Sequence, residues 1–118
     1  MATSVDVRGQ YRIVGLTPAN TNEATMFTAG SEFPVLTNLH ICNLTASQAN
    51  ATVKWGDGST DYSIIDTFGV PARGYLFEDL MIPLRDSYTI KVTSGTANAL
   101  TFTAVIVASR GAFGNASM

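Results

Sequence analysis

The sequence predicts an all-β antiparallel β-sandwich of about eight short strands, and three observations carry that prediction. Apolar residues recur with a period of two, β-branched and aromatic residues fill the alternating runs, and Gly, Pro, Asn and Asp separate the runs. No segment sustains a helical period. Eight such strands suit two packed sheets, and a jelly roll is one arrangement they can take.

In chain order, the candidate strands are Gln10 to Leu16, Glu23 to Ala29, Val35 to Leu44, Ala51 to Trp55, Tyr62 to Asp66, Gly74 to Ile82, Ser87 to Thr93 and Leu100 to Ser109. In the third, alternation directs Val35, Leu39 and Ile41 toward a core and Asn38 and His40 to the other face. In the fourth, Ala51, Val53 and Trp55 point inward, with Thr52 and Lys54 outward. Trp55-Gly56-Asp57-Gly58 ends that strand with an Asp-Gly pair, which favours the positive φ values of a tight primed turn and predicts a hairpin into Tyr62 to Asp66. Near the C-terminus, Tyr88, Ile90 and Val92 alternate with Thr89, Lys91 and Thr93. After Ser94-Gly95-Thr96-Ala97-Asn98 the alternation resumes at Leu100, Phe102, Ala104 and Ile106, which reads as a second hairpin. Pro18, Pro34, Pro71 and Pro83 fall near strand ends, where a missing N–H harms no ladder.

Residues 1–9 and 110–118 are small, polar or glycine-rich and read as flexible arms around a single sandwich domain, residues 10–109. In them Val5, Val7 and Phe113 are the apolar anchors that a neighbouring subunit could bury. With Phe68 and Tyr75 they make the expected interface set. A length of 118 residues fits one core.

Only 14% of the residues are charged, well below the roughly 25% usual for globular proteins. A small monomer with so few charges has difficulty keeping its surface free of apolar patches, so a homo-oligomer, most simply a trimer, is expected. The formal net charge of −2 and the scattered basic residues oppose nucleic-acid binding. Apolar runs such as Ala104 to Ala108 fall far short of a bilayer span, so no membrane insertion is expected. No basic segment followed by an apolar one opens the chain, and secretion by a standard signal is not expected. The sequons at Asn43, Asn50 and Asn115 are then chance occurrences in a chain rich in Asn, Ser and Thr.

The reactive residues are few. His40 and Cys42 stand two apart in one strand and share a face, the spacing of a thiol and its base, but no third orienting group accompanies them and packing is the expected role. One His and one Cys are too few for a zinc site. Asp57, Ser59 and Asp61 resemble part of a calcium loop without its later acidic ligand or flanking helices, so a hairpin turn is the expected role. Glu78 and Asp79 adjoin in one strand and point to opposite faces, which separates them as an acid/base pair. Trp55, Tyr62, Phe68, Tyr75, Phe77 and Tyr88 could stack on a sugar, but core and interface packing is the ordinary use of such residues. No enzyme activity, catalytic residue, cofactor or metal is expected.

The succession Ile41-Cys42-Asn43-Leu44-Thr45, Ala51-Thr52-Val53-Lys54-Trp55, Leu80 to Pro83, Asp86-Ser87-Tyr88-Thr89-Ile90-Lys91-Val92-Thr93-Ser94 and Ala97-Asn98-Ala99-Leu100-Thr101-Phe102-Thr103-Ala104 resembles small all-β virion structural proteins of tailed bacteriophages. The resemblance spans roughly Tyr11 to Ala108 and is one of strands and turns. It implies a capsid decoration, or cement, protein that bridges major-capsid subunits at the virion surface after synthesis in the host cytoplasm. The alternatives are a tail, neck or fibre-associated subunit and, from a different class, a glycan-binding module displayed on the virion.

Overall fold

The computed structural model describes residues 11–108. The expected arms, with Val5, Val7 and Phe113, lie outside the described residues. Eight strands form: β1 (Tyr11–Leu16), β2 (Ala24–Thr28), β3 (Pro34–Asn43), β4 (Ala49–Gly56), β5 (Asp61–Val70), β6 (Tyr75–Pro83), β7 (Thr89–Ser94) and β8 (Leu100–Ala108). They build two four-stranded sheets, ordered β1-β8-β3-β6 and β2-β7-β4-β5, with every pairing antiparallel.

The inward halves of the alternating runs make the core. Leu36, Leu39 and Ile41 of β3 and Leu100, Phe102, Ala104 and Ile106 of β8 face Ala51 and Val53 of β4 and Ile90 and Val92 of β7, all essentially without solvent contact. Each large apolar side chain buried in this way contributes about 1.5–3 kcal/mol.

Three expectations need correction. The alternation in β3 does not run unbroken from Val35. A bulge between Leu36 and Asn38 adds Thr37, whose hydroxyl donates to the Val105 carbonyl at 3.2 Å. The bulge resets the phase, so Leu36 enters the core and Val35 is only half-buried on the outward side.

The segment from Tyr88 to Val107 is not a hairpin. β7 pairs with β2 and β4, while β8 pairs with β1 and β3 in the other sheet. The intervening link crosses the sandwich, held where the Gly95 amide donates to the Asn50 carbonyl, the Asn98 amide to Pro18 and the Leu44 amide to Ala99, all within 2.9 Å. Asn98 adopts φ 58° there, a left-handed conformation that asparagine tolerates.

The β4–β5 connection is a hairpin, as expected, but not through a two-residue primed turn. Residues 57–60 form the loop, and Gly58 (φ 99°) is its one position with positive φ. Asp57 Oδ1 instead accepts the amides of Ser59 at 2.9 Å and Thr60 at 2.8 Å and closes the loop from within.

At one end of the sandwich Asn43, buried in β3, ties the sheets together. Its Nδ2 donates to the carbonyls of Ser47 (2.8 Å) and Val70 (3.0 Å), and its Oδ1 accepts the Thr45 amide and hydroxyl. Every buried side-chain nitrogen and oxygen among the described residues has a partner.

Candidate interaction surface

Directly opposed residues of an antiparallel pair share a face, so the strand registers fix what each outward face displays. On the β1-β8-β3-β6 sheet they form four rows. Tyr11, Val107, Val35 and Pro83 make the first; Ile13, Val105, Asn38 and Asp79 the second; Gly15, Thr103, His40 and Phe77 the third; Thr101, Cys42 and Tyr75 the fourth. Met81 joins them from the edge strand β6. Of the large apolar side chains on this face, Met81 is 79% exposed, Ile13 72%, Tyr75 67%, Tyr11 56% and Phe77 51%.

Among the described residues this face carries a single formal charge, Asp79, whose Oδ1 accepts a 2.7 Å bond from Asn38 Nδ2. Three threonine hydroxyls are also engaged: Thr17 and Thr101 share a 2.8 Å bond, and Thr37 donates to Asn38 Oδ1 at 3.1 Å. The His40 ring stacks on Tyr75 with centroids 5.5 Å apart and meets Phe77 at 6.4 Å, so three rings form a fixed ladder.

The outward face of β2-β7-β4-β5 is built differently. Lys54 and Lys91 stand opposite each other across β4 and β7. Each meets a carboxylate, Lys54 with Glu23 at 3.7 Å and Lys91 with both oxygens of Asp61 at 3.2 Å. Gly56 makes room for this, because a Cβ there would meet the Asp61 carboxylate and the Thr89 hydroxyl.

The expected interface residues separate. Tyr75 is on the apolar face. Phe68, also exposed, is opposite the buried Ala51 and so turns toward the inner side of the edge strand β5, at the flank of the sandwich. Val5, Val7 and Phe113 lie outside the described residues. Tyr11, Ile13, Met81 and His40 belong to the surface and were not singled out for it by alternation alone. A signal for them existed in Ala104 to Ala108, Tyr75 to Phe77 and Leu80 to Ile82, which are apolar in both phases of the period and so announce strands with two dry faces.

The remaining constellations resolve into packing. Cys42 and His40 do share a face, but it is the half-buried outward one rather than the core, with His40 committed to its stack on Tyr75. The Asp57 carboxyl is held below the usual carboxylate range by the Ser59 amide first and the Thr60 amide second, while Asp61 is engaged by Lys91, so the two turn toward different partners. Glu78 and Asp79 oppose Leu39 and Asn38 and lie on opposite faces. The aromatic residues do not make one platform. Trp55 stacks on Tyr62 (4.5 Å) and Tyr88 (5.7 Å), which flank it from either side because β4 lies between β5 and β7; the indole faces are therefore taken. A cleft of about 210 Å³ lies beside the first and last described residues, lined by Tyr11, Arg12, Phe27, Glu32, Pro34, Ile106 and Ala108. In it the Arg12 guanidinium sits 5.8 Å above the Phe27 ring and 3.9 Å from Glu32.

No family model and no curated protein matches the sequence. Solved structures share the fold. The chain is similar to one in the acidic stable capsid of the Helicobacter pylori bacteriophage KHP30, with TM-score 0.57 and 8% identity over 81% of this chain and 85% of that one. It is similar to the Drosophila NLP core, described for its pentamer formation and histone binding, with TM-score 0.54 and 12% identity over 82% and 97%. It is also similar to a chain of Bacillus endospore appendages, described as disulfide-linked pili, with TM-score 0.53 and 11% identity over 83% and 84%.

Proposed function

We propose that this chain is a virion structural subunit of a bacteriophage, without catalytic activity, that works by being held against other subunits. The observation that carries this reading is the broad outward face of β1-β8-β3-β6, which exposes Tyr11, Ile13, Tyr75, Phe77 and Met81 and has Asp79 as its one formal charge among the described residues. A contiguous apolar surface of this size marks a contact surface. The strand order, with six of the seven connections crossing between sheets, is read as a jelly roll. The likeness to a chain of a phage capsid supports a place in the shell, and the likeness to the pentamer-forming NLP core supports self-association. Within the virion the reading is a decoration protein on the capsid surface that bridges major-capsid subunits and associates with its own copies.

Immunogold labelling of purified particles with antibody to this chain tests the assignment. Label distributed over the head is the expected result. Label confined to the tail or neck would replace decoration with the tail-associated role, and label absent from particles would remove the virion assignment altogether.

A further inference from the structure

We infer that the outward face of β1-β8-β3-β6 is covered by a second copy of this chain. The inference rests on the self-association proposed above and assigns the surface that carries it. A partner recruited by charge would need charges to meet, and among its described residues this face offers Asp79 alone, already bonded to Asn38 and placed on the edge strand, where it can remain at a solvated rim. The occupant is therefore another uncharged surface. The other broad face of the sandwich does not qualify, because laying it here would bury Lys54 and Lys91 and disturb their pairs with Glu23 and Asp61. The surface among the described residues that matches a four-stranded face with one rim charge is the same face on another copy.

Size agrees with that occupant. Four strands spaced about 4.8 Å apart and seven residues of β8, Thr101 to Val107, give a footprint of roughly 440 Å². Two such faces together give about 880 Å² as flat footprints, a lower bound that side-chain relief raises toward the roughly 1,200 Å² at which specific interfaces begin. The ladder of His40, Tyr75 and Phe77 supplies rings already fixed against one another, which lose little freedom on contact.

A matched pair of substitutions in the full chain tests the assignment. Thr103 and Thr93 are outward, half-buried residues of β8 and β7, each on the second strand of its sheet. Sedimentation velocity across micromolar concentrations should show the wild type and Thr93→Lys associating alike. Thr103→Lys should raise the concentration at half-association about tenfold or more, because it buries an unpaired ammonium between the faces. Circular dichroism confirms folding, and Ile13→Ser with Met81→Ser, both at highly exposed positions, repeats the test with variants that leave the core untouched. Cys42 reports independently: its alkylation should be slower in the associated wild type than in Thr103→Lys. If the wild type associates and both sets of face variants associate equally well, the face is wrongly assigned while self-association stands. A wild type that stays monomeric throughout overturns both, and loss of particle attachment by the face variants of such a monomer would give the face to a different protein.

Discussion

The outward faces of β1-β8-β3-β6 and β2-β7-β4-β5 are each four strands wide and lined along their middle strands by threonine, at Thr101 and Thr103 on one and Thr52, Thr89 and Thr93 on the other. They differ in what flanks the threonines. On the second sheet two lysines, each with a carboxylate, keep the face wet; on the first, Tyr11, Ile13, Phe77 and Met81 stand where such pairs would be. Exposed ion pairs of that kind add little to stability, typically under about 1 kcal/mol. Their effect is on association, because a face that carries paired charges costs more to desolvate than one that does not. The difference separates two surfaces of one sandwich: one outward face carries paired charges, and the other, on the proposal above, receives a second copy.

The largest effect that could break this distinction comes from one residue type in two settings. Phe102 of β8 is fully buried in the core and Phe77 of β6 is half exposed on the apolar face. Phe102→Ala should cost about 3–5 kcal/mol in urea unfolding through lost transfer energy and a cavity. Phe77→Ala should cost about 1 kcal/mol or less and weaken association instead. Equal losses of stability would mean that the outward face already belongs to the monomer's own core.

Next in size is the link between the sheets. Asn43→Ala removes four hydrogen bonds at once, to Ser47, Val70 and twice to Thr45, and is expected to lower stability by about 2–3 kcal/mol by chemical denaturation. Association through the apolar face should persist at concentrations where the variant is folded. A variant that unfolds no sooner than the wild type would show that core packing alone holds the two sheets in place.

Much of the architecture could be read from the chain because alternation reports burial directly: Leu39 and Ile41, Ala51 and Val53, Ile90 and Val92, and Leu100, Phe102, Ala104 and Ile106 point inward as their alternation says, Val35 being the exception, and each of the four prolines lies at or just beyond a strand end. What alternation cannot report is the partner. Ile90 and Val92 in β7 and Leu100 and Phe102 in β8 all face the core, yet from opposite sheets, and five intervening residues serve a crossing as well as a hairpin. The bulge at Thr37 was hidden for a related reason: a period of two has no mark for an inserted residue when both Val35 and Leu36 are apolar. The apolar outward face was half visible. Tyr75 was expected to be exposed, but inward and outward apolar residues look alike in sequence, and the registers were needed to bring Tyr11, Ile13 and Met81 onto one face with it.

The smallest effect sharpens the polar side of the comparison. Asp57 closes the β4–β5 hairpin, and the amides of Ser59 and Thr60 lower its pKa in the folded chain. A group whose folded pKa lies below its unfolded value binds fewer protons when folded, so its contribution is complete above the unfolded pKa and fades as pH falls through the folded one. The wild type should therefore melt slightly above Asp57→Asn at about pH 6, with the gap narrowing toward about pH 3 as the carboxylate takes up its proton. Other carboxylates titrate in the same range, but they are common to both proteins and cancel in the difference. If the gap stayed constant down to pH 3, the loop would be held by the shape of the side chain and not by its charge, and the hairpin that borders the polar face would owe nothing to ionisation.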